Sequence, residues 1–124
     1  MADNSAPGFK TRPRSYIETK AAQERVRVTF KGEVIADTRD ALALKEGSYP
    51  TVYYIPRQDV KMDRLLRSSH STYCPFKGDA SYYSLKDGPE NAVWSYERPY
   101  DEMMAIKDRV AFYPNKVDSI ETVA

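Results

Sequence analysis

Cysteine and histidine are scarce in this sequence of 124 residues, which contains one of each. A disulfide within the chain needs two cysteines, so Cys74 has no partner for one. A structural zinc site usually takes four Cys or His ligands, and Cys74 and His70 supply only two. We therefore expect no zinc, no other metal and no cofactor. Any histidine-dependent catalysis would have to use His70.

Long apolar runs are also missing, and none approaches the roughly 20 residues that a helix needs to cross a bilayer. Residues 1–5 are polar and lack the hydrophobic region of a signal peptide. The 19 Lys and Arg residues nearly balance the 18 Asp and Glu residues, so no overall field attracts nucleic acid or a membrane. We expect a soluble, cytoplasmic protein whose partners include neither of these. A homo-oligomer is compatible with this composition.

Tyrosine is abundant: the chain has ten Tyr, four Phe and one Trp, and tyrosine is favoured in β-strands. The length fits a single domain, and the content of 41% hydrophobic and 30% charged residues is typical of globular proteins. Proline and glycine interrupt residues 1–22, where no apolar period is visible. We therefore expect a flexible N-terminal tail at residues 1–22 and a single β-rich domain at residues 23–124.

Alternation of apolar and polar residues predicts the strands. Residues 25–30 place Val26, Val28 and Phe30 on one side, which is typical of a half-buried strand, and a turn at residues 31–32 leads into a returning strand. Two short helices are expected, one capped by Asp59 and ending before the Ser-rich residues 68–71, the other at residues 101–108. The predicted fold class is therefore mainly β, a compact antiparallel domain with two short helices. The remaining predicted strands are 33–37, 41–46, 51–55, 72–76, 80–85, 91–96 and 110–113.

Three ordered motifs carry a resemblance to a known family: YPTVYYIPRQDV at 49–60, TYCPFKGDA at 72–80 and NAVWSYERP at 91–99. Together with GEVIAD at 32–37, they resemble the bacterial family catalogued as domain of unknown function 427, over roughly residues 24–114. The resemblance implies a compact fold of the β-tent or Mss4-like type. Typical members of that architecture hold zinc through two Cys pairs, which this chain lacks, so the metal is not expected to carry over.

The same family is sometimes labelled a nucleotidyltransferase family. That chemistry needs a phosphate cradle and metal-binding carboxylates. The sequence has no P-loop pattern, and the turn formed by Lys77, Gly78 and Asp79 offers one amine and one carboxylate. Nucleotidyl transfer is therefore a minor alternative here.

Cys74 is a weak candidate for a catalytic nucleophile, because a reactive thiolate needs a cation beside it. Lys77 and His70 are the neighbours in sequence that could supply one. If the intervening residues are extended, His70 lies about 13 Å from Cys74, at roughly 3.3 Å per residue. The alternative is a small, buried structural cysteine.

Aromatic and charged residues near strand ends are the candidates for a ligand-binding pocket. Neighbouring residues on a strand face opposite sides, so one Tyr of each adjacent pair is expected in the core and the other on the outer face or in a cleft. A salt bridge between Arg57 and Glu97 is the alternative explanation for those two residues. The candidates are Tyr53, Tyr54, Arg57, Lys77, Tyr82, Tyr83, Trp94 and Glu97.

Two hypotheses about function follow. The first is a pocket for an unknown small molecule, anionic or polar, with aromatic walls and with Arg, Lys and Glu side chains as polar contacts. The second is a protein-interaction module that uses an aromatic surface, since Tyr, Trp and Arg are enriched at interaction hot spots. A cysteine-dependent enzyme and a nucleotidyltransferase are further alternatives, so the sequence leaves open whether the protein is an enzyme.

Overall fold

The computed structural model describes residues 4–124. The described residues form ten strands in three antiparallel sheets, with 3-10 turns as their helical segments, so the predicted mainly β, antiparallel fold class is confirmed. The strands are β1 (Ile17–Ala21), β2 (Arg25–Phe30), β3 (Glu33–Thr38), β4 (Leu42–Glu46), β5 (Val52–Tyr54), β6 (Leu65–Cys74), β7 (Gly78–Leu85), β8 (Val93–Ser95), β9 (Val110–Phe112) and β10 (Ser119–Val123).

Isolated backbone bridges link the three sheets through β5 and the segment that follows it. The first sheet has the order β1-β4-β5, the second β10-β2-β3 and the third β6-β7-β8-β9. Ile55, just after β5, exchanges backbone hydrogen bonds of 2.8 and 2.9 Å with Val110 at the start of β9. This bridge connects the first sheet to the third. A second bridge, between Ala36 and Val60, holds the segment after β5 against the second sheet.

The β2–β3 hairpin agrees with its sequence pattern. Val26 and Val28 are completely buried, as the alternation predicts. The turn uses Lys31 and Gly32, which both have positive φ, as a two-residue hairpin of this kind requires. The predicted strands in residues 41–46, 51–55, 80–85, 91–96 and 110–113 are confirmed as β4, β5, β7, β8 and β9, with ends that differ by a few residues.

The predicted tail at residues 1–22 differs from the structure. Ile17–Ala21 form β1, which pairs with β4 from Ile17 opposite Glu46 to Ala21 opposite Leu42. Further upstream, Gly8 is buried and its N–H donates to the carbonyl of Pro75 at 3.0 Å. Only Ile17 of this strand is buried, and its residues show no apolar alternation that would predict a strand. Its extended conformation therefore depends on pairing with β4. Residues 1–3 of the predicted tail lie outside the described residues.

The first predicted helix is wrong. The chain makes two 3-10 turns, Arg57–Asp59 and Met62–Arg64, and then enters β6 at Leu65. The Asp59 carboxylate accepts a hydrogen bond from the Thr38 hydroxyl at 2.7 Å and caps no helix. The Ser-rich residues 68–71, before which the helix was expected to end, lie within β6. There the pairing with β7 shifts register between Arg67 and Ser71.

The second predicted helix exists only as 3-10 turns at Asp101–Ile106, with a non-helical residue, Met103, inside it. No side chain caps its N-terminus, so the acidic residues that suggested a helix start do not act as caps. Within residues 4–124, no helix is long and apolar enough to cross a membrane.

The core consists of two clusters on opposite faces of the third sheet. Along β7, Tyr82 belongs to the second cluster and Tyr83 to the first, because adjacent strand residues point to opposite faces. Both faces of β7 are therefore covered, and both tyrosines are buried. Large members of the first cluster are Val26, Val28, Ile35, Ile55, Tyr83, Leu85, Val93 and Phe112, and those of the second are Ile17, Leu44, Tyr54, Tyr82, Tyr96, Met103 and Ile106.

Candidate functional site

A cavity of about 710 Å³ lies where the three sheets meet. We call it the three-sheet cavity because β4 and β5, β2 and β10, and β7, β8 and β9 all contribute to its wall. Its volume falls within the range of small-molecule sites, roughly 300–1,000 Å³. The aromatic residues in its wall are Tyr49, Tyr53, Tyr54, Tyr82, Trp94, Tyr96, Phe112 and Tyr113.

The edge of β5 supplies a continuous part of this wall. Residues 49–55 all line the cavity, although consecutive residues on a strand point to opposite faces. β5 pairs with β4 on one side over three residues, and its other side meets β9 only through the bridge of Ile55. The cavity therefore occupies the gap between the first and third sheets beside that bridge.

Lys77 and Glu46 form an ion pair in the cavity wall. Lys77 is 8% exposed, and within residues 4–124 it is the one charged residue that is buried. Its Nζ donates to Glu46 Oε1 at 2.6 Å, lies 5.9 Å from the ring centroid of Tyr96 and approaches Cys74 Sγ to 3.9 Å. The cavity thus holds one positive and one negative group in direct contact.

Two contacts fix the backbone at Lys77 and at the residue that follows it. Its carbonyl accepts a hydrogen bond from the N–H of Tyr100 at 3.1 Å. The next residue, Gly78, has a φ of 109°, and a Cβ atom there would lie 3.3 Å from the carbonyl oxygen of Arg98. Glycine is therefore required at this position, and it lets the chain turn so that Lys77 reaches the cavity.

Three tyrosines in the wall have a raised pKa. Burial raises the pKa of Tyr54 and of Tyr96 well above the usual value. Burial, with a hydrogen bond to Tyr82, raises the pKa of Tyr113 to about 12. Trp94 Nε1 donates to the Tyr54 hydroxyl at 3.2 Å, and the Trp94 and Tyr113 rings lie 4.4 Å apart. The wall therefore combines closely packed, tilted rings with the hydroxyl groups of tyrosine side chains.

A separate polar cluster surrounds Glu97, outside the cavity wall. Arg67 donates to both carboxylate oxygens of Glu97 at 2.8 Å, and Arg57 donates to Oε2 at 3.0 Å. The hydroxyl of Ser81 donates to Oε1 at 2.9 Å. These hydrogen bonds, with that of Arg67 the largest cause, lower the pKa of Glu97 to about 2 against the opposing effect of burial.

The second arginine of this cluster, Arg57, is held by the protein itself. Its Nε donates to the carbonyl of Asp108 at 2.6 Å and its Nη2 to the hydroxyl of Ser95 at 3.0 Å. Arg57 and Arg67 each lie 5.6 Å from the ring centroid of Tyr83. The salt bridge that the sequence offered as the alternative role of Arg57 and Glu97 is present.

The structure thus divides the candidate residues into two groups. Those that line the three-sheet cavity are Tyr53, Tyr54, Lys77, Tyr82 and Trp94, and those that belong to the Glu97 cluster are Arg57, Tyr83 and Glu97. Sequence reasoning missed Glu46, Tyr96 and Tyr113 in the cavity wall and Arg67 beside Glu97. Tyr96 and Tyr113 ended predicted strands, a position that could have marked them. Arg67 was missed because the sequence placed it in a helix.

Cys74 and His70 do not act together in this arrangement. β6 is extended from His70 to Cys74, the case in which about 13 Å separates them at roughly 3.3 Å per residue. His70 is exposed, and its ring lies 4.6 Å from that of Tyr82. Cys74 is half-buried, packs against the second core cluster and has Lys77 as its cationic neighbour.

Within residues 4–124, no group of three or more His, Cys, Asp or Glu side chains is placed to hold a metal ion. A comparison with curated proteins finds no match. A family model described as a domain of unknown function (DUF427) matches residues 18–123, so the resemblance drawn from the motifs is confirmed and extends further in both directions. The chain belongs to this family.

Proposed function

We propose that the protein binds a small, uncharged, ring-bearing molecule in the three-sheet cavity. The observation that carries the proposal is the wall itself, in which aromatic side chains surround a single buried ion pair, Lys77 with Glu46. Pockets for small molecules are typically apolar and aromatic, with a few polar groups that fix the ligand's orientation.

The charges in the wall favour an uncharged ligand over an anionic one. The ammonium of Lys77 is already neutralised by Glu46 at 2.6 Å. An anion bound to Lys77 would displace Glu46 and leave a carboxylate that is only 21% exposed without its partner, which is costly. Arg57, the other expected contact for an anion, is outside the cavity wall and is engaged by Glu97 and Ser95.

The aromatic rings and hydroxyl groups of the cavity wall indicate which chemical groups the ligand carries. Trp94 and Tyr113 offer apolar faces against which a planar ring can pack. The hydroxyl of Tyr113, which is engaged in a hydrogen bond with Tyr82, still has a lone pair that can accept a hydrogen bond from a hydroxyl or amide N–H group of the ligand. A phenol, an aromatic alcohol or an aromatic amide combines these features within the available volume.

No specific observation favours the alternative of a protein-interaction module. In the described part of the chain, the exposed large hydrophobic residues are Tyr49, Leu66, Tyr73, Met104 and Val123. None of the eight aromatic and charged candidates is among them. The tyrosines and tryptophan that suggested an aromatic surface are instead buried or half-buried.

Trp94 provides the assay, because it is the single tryptophan of the chain and it lines the cavity. Native mass spectrometry of freshly purified protein first identifies any ligand that the protein carries. Titration with aromatic alcohols and amides, and with the matching aromatic carboxylates, is then followed by Trp94 fluorescence. We expect saturable changes with the uncharged compounds and weaker binding of each carboxylate.

Two matched variants locate the binding site. Tyr113→Phe removes one hydroxyl from the wall and is expected to weaken binding about five-fold, since a hydrogen bond contributes about 1 kcal/mol. Tyr73→Phe removes an exposed hydroxyl that bonds Tyr100 outside the wall and should leave binding unchanged. Equal effects of the two substitutions, or tighter binding of the carboxylates, would contradict the proposal.

A further inference from the structure

We propose that Lys77 forms an imine with a ligand that carries an aldehyde or ketone group, and that Glu46 moves the protons of this reaction. The inference rests on the proposed function, because it requires that the three-sheet cavity admit a small ring-bearing molecule. Beyond the proposed function, the ligand then carries a carbonyl group, and Lys77 has a covalent role in addition to its ion pair with Glu46.

The position of Lys77 distinguishes it from the other lysines. Lysines such as Lys31, Lys45, Lys86 and Lys107 are exposed, whereas Lys77 is buried and lines the cavity. A lysine amine serves as a nucleophile where its surroundings exclude water and a base can take its proton. The aromatic wall provides the first condition, and Glu46 Oε1, 2.6 Å from Nζ, provides the second.

The proton transfers can be followed atom by atom. The ammonium of Lys77 gives one proton to the Glu46 carboxylate, which leaves an amine and a carboxylic acid. The amine nitrogen attacks the carbonyl carbon of the ligand, a C–N bond forms, and proton transfer from nitrogen to oxygen gives a carbinolamine. Glu46 returns its proton to the hydroxyl, the C–O bond breaks, and water leaves as the C=N bond forms. The reaction releases one water, and no oxidant or reductant takes part.

The product keeps the charges of the resting site. The protonated imine carries the positive charge that the ammonium carried, and Glu46 is again a carboxylate beside it. The ring centroid of Tyr96, 5.9 Å from Nζ, faces a cation before and after the reaction. No charge is therefore added to the cavity or removed from it, and the buried ion pair survives.

The nearby thiol of Cys74 is the competing nucleophile. Its Sγ lies 3.9 Å from Lys77 Nζ, so an aldehyde in the cavity could also add to sulfur. A thiol gives a hemithioacetal, which borohydride reagents do not reduce to a stable adduct, whereas the reduced imine is a permanent secondary amine. Reductive trapping therefore reports the lysine reaction alone.

The test uses 4-hydroxybenzaldehyde with sodium cyanoborohydride and the wild-type protein. Peptide mapping by mass spectrometry compares the labelling rate of Lys77 with those of the exposed lysines in the same molecule. This comparison uses the wild-type protein alone and does not depend on the folding of any variant. We expect Lys77 to be labelled first, about 100-fold faster than the exposed lysines, and Glu46→Gln to slow this labelling about 100-fold. Lys86→Arg, at an exposed position, should leave the rate at Lys77 unchanged.

Labelling of Lys77 no faster than of the exposed lysines would overturn the proposal, and so would an unchanged rate in Glu46→Gln. 4-Hydroxybenzyl alcohol, which has no carbonyl group, separates this failure from failure of the proposed function. If the alcohol changes Trp94 fluorescence and the aldehyde does not label Lys77, the cavity binds ligands but the imine is refuted. If neither compound acts, both proposals fail.

Discussion

Replacing Glu97 with Gln is expected to lower the free energy of unfolding at pH 7 by about 2 kcal/mol. The hydrogen bonds from Arg67, Ser81 and Arg57 lower the pKa of Glu97 from its ordinary 4.5 to about 2. At about 1.4 kcal/mol for each tenfold change in proton affinity, the ionised carboxylate contributes about 3 kcal/mol. We reduce this to about 2 kcal/mol because Arg67 is more than half exposed and solvent weakens its interaction.

The pH dependence has a definite sign. The pKa of Glu97 is depressed in the folded protein, so its contribution is present above the unfolded value of 4.5 and is lost as the pH falls towards the folded value of about 2. Gln cannot ionise, so the unfolding free energies of wild type and Glu97→Gln should differ at pH 7 and converge between pH 4.5 and pH 2. Urea unfolding followed by circular dichroism at several pH values measures this convergence.

Glu33→Gln is the matched control. Glu33 also contacts two cations, Lys61 and Arg64, and these lower its pKa, but both partners are more than half exposed. Its replacement should therefore destabilise the protein less than Glu97→Gln does. Parallel stability curves for wild type and Glu97→Gln from pH 7 to pH 2, or equal losses in the two variants, would refute the reasoning.

Three further outcomes are expected. Gly78→Ala should lower the free energy of unfolding by about 1–3 kcal/mol, and by more than Gly32→Ala does. Both glycines have positive φ, but of the two only Gly78 would place a Cβ atom against other atoms, 3.3 Å from the carbonyl oxygen of Arg98. Equal losses in urea unfolding would contradict this. Tyr54→Phe removes the acceptor of the Trp94 hydrogen bond at 3.2 Å, so it should cost about 1 kcal/mol and shift Trp94 emission, and an unchanged spectrum would argue against that bond in solution. Purified protein should contain no stoichiometric zinc, and one zinc per chain by elemental analysis would show that the ligand count from Cys74 and His70 is mistaken.

Local patterns predicted the strands whose signal lies within their own residues. In β2 the alternation of Val26 and Val28 with polar residues agrees with their complete burial, and the turn at Gly32 closes the hairpin within a few residues. Local signals failed at the start of β6, where the sequence predicted a helix capped by Asp59. Pairing with β7, from Leu65 opposite Leu85 to Cys74 opposite Gly78, overrides that propensity, because a short helix is only marginally stable by itself.

The sequence predicted which types of residue form the candidate site, but it did not predict which of them lie together. Tyr82 and Tyr83 point to opposite faces, as the pleat requires, but both are buried in core clusters, and Tyr82 also lines the cavity. The polar candidates were assigned to a single site. Arg57 with Glu97 was placed in one site with Lys77, but the third sheet and its covering segments divide them between two clusters.

The sequence by itself determined the mainly β class, the β2–β3 hairpin and the family, because alternation, turn residues and ordered motifs are all read along the chain. Only the tertiary structure decided that β1 is a strand, that three sheets leave a cavity between them and that Lys77 meets Glu46 across 31 positions of the chain. No sequence pattern around Lys77 or Glu46 predicts that the two residues are in contact. It forms because strands distant in sequence pack together, and burial then makes an ion pair the only stable state for a charged lysine there.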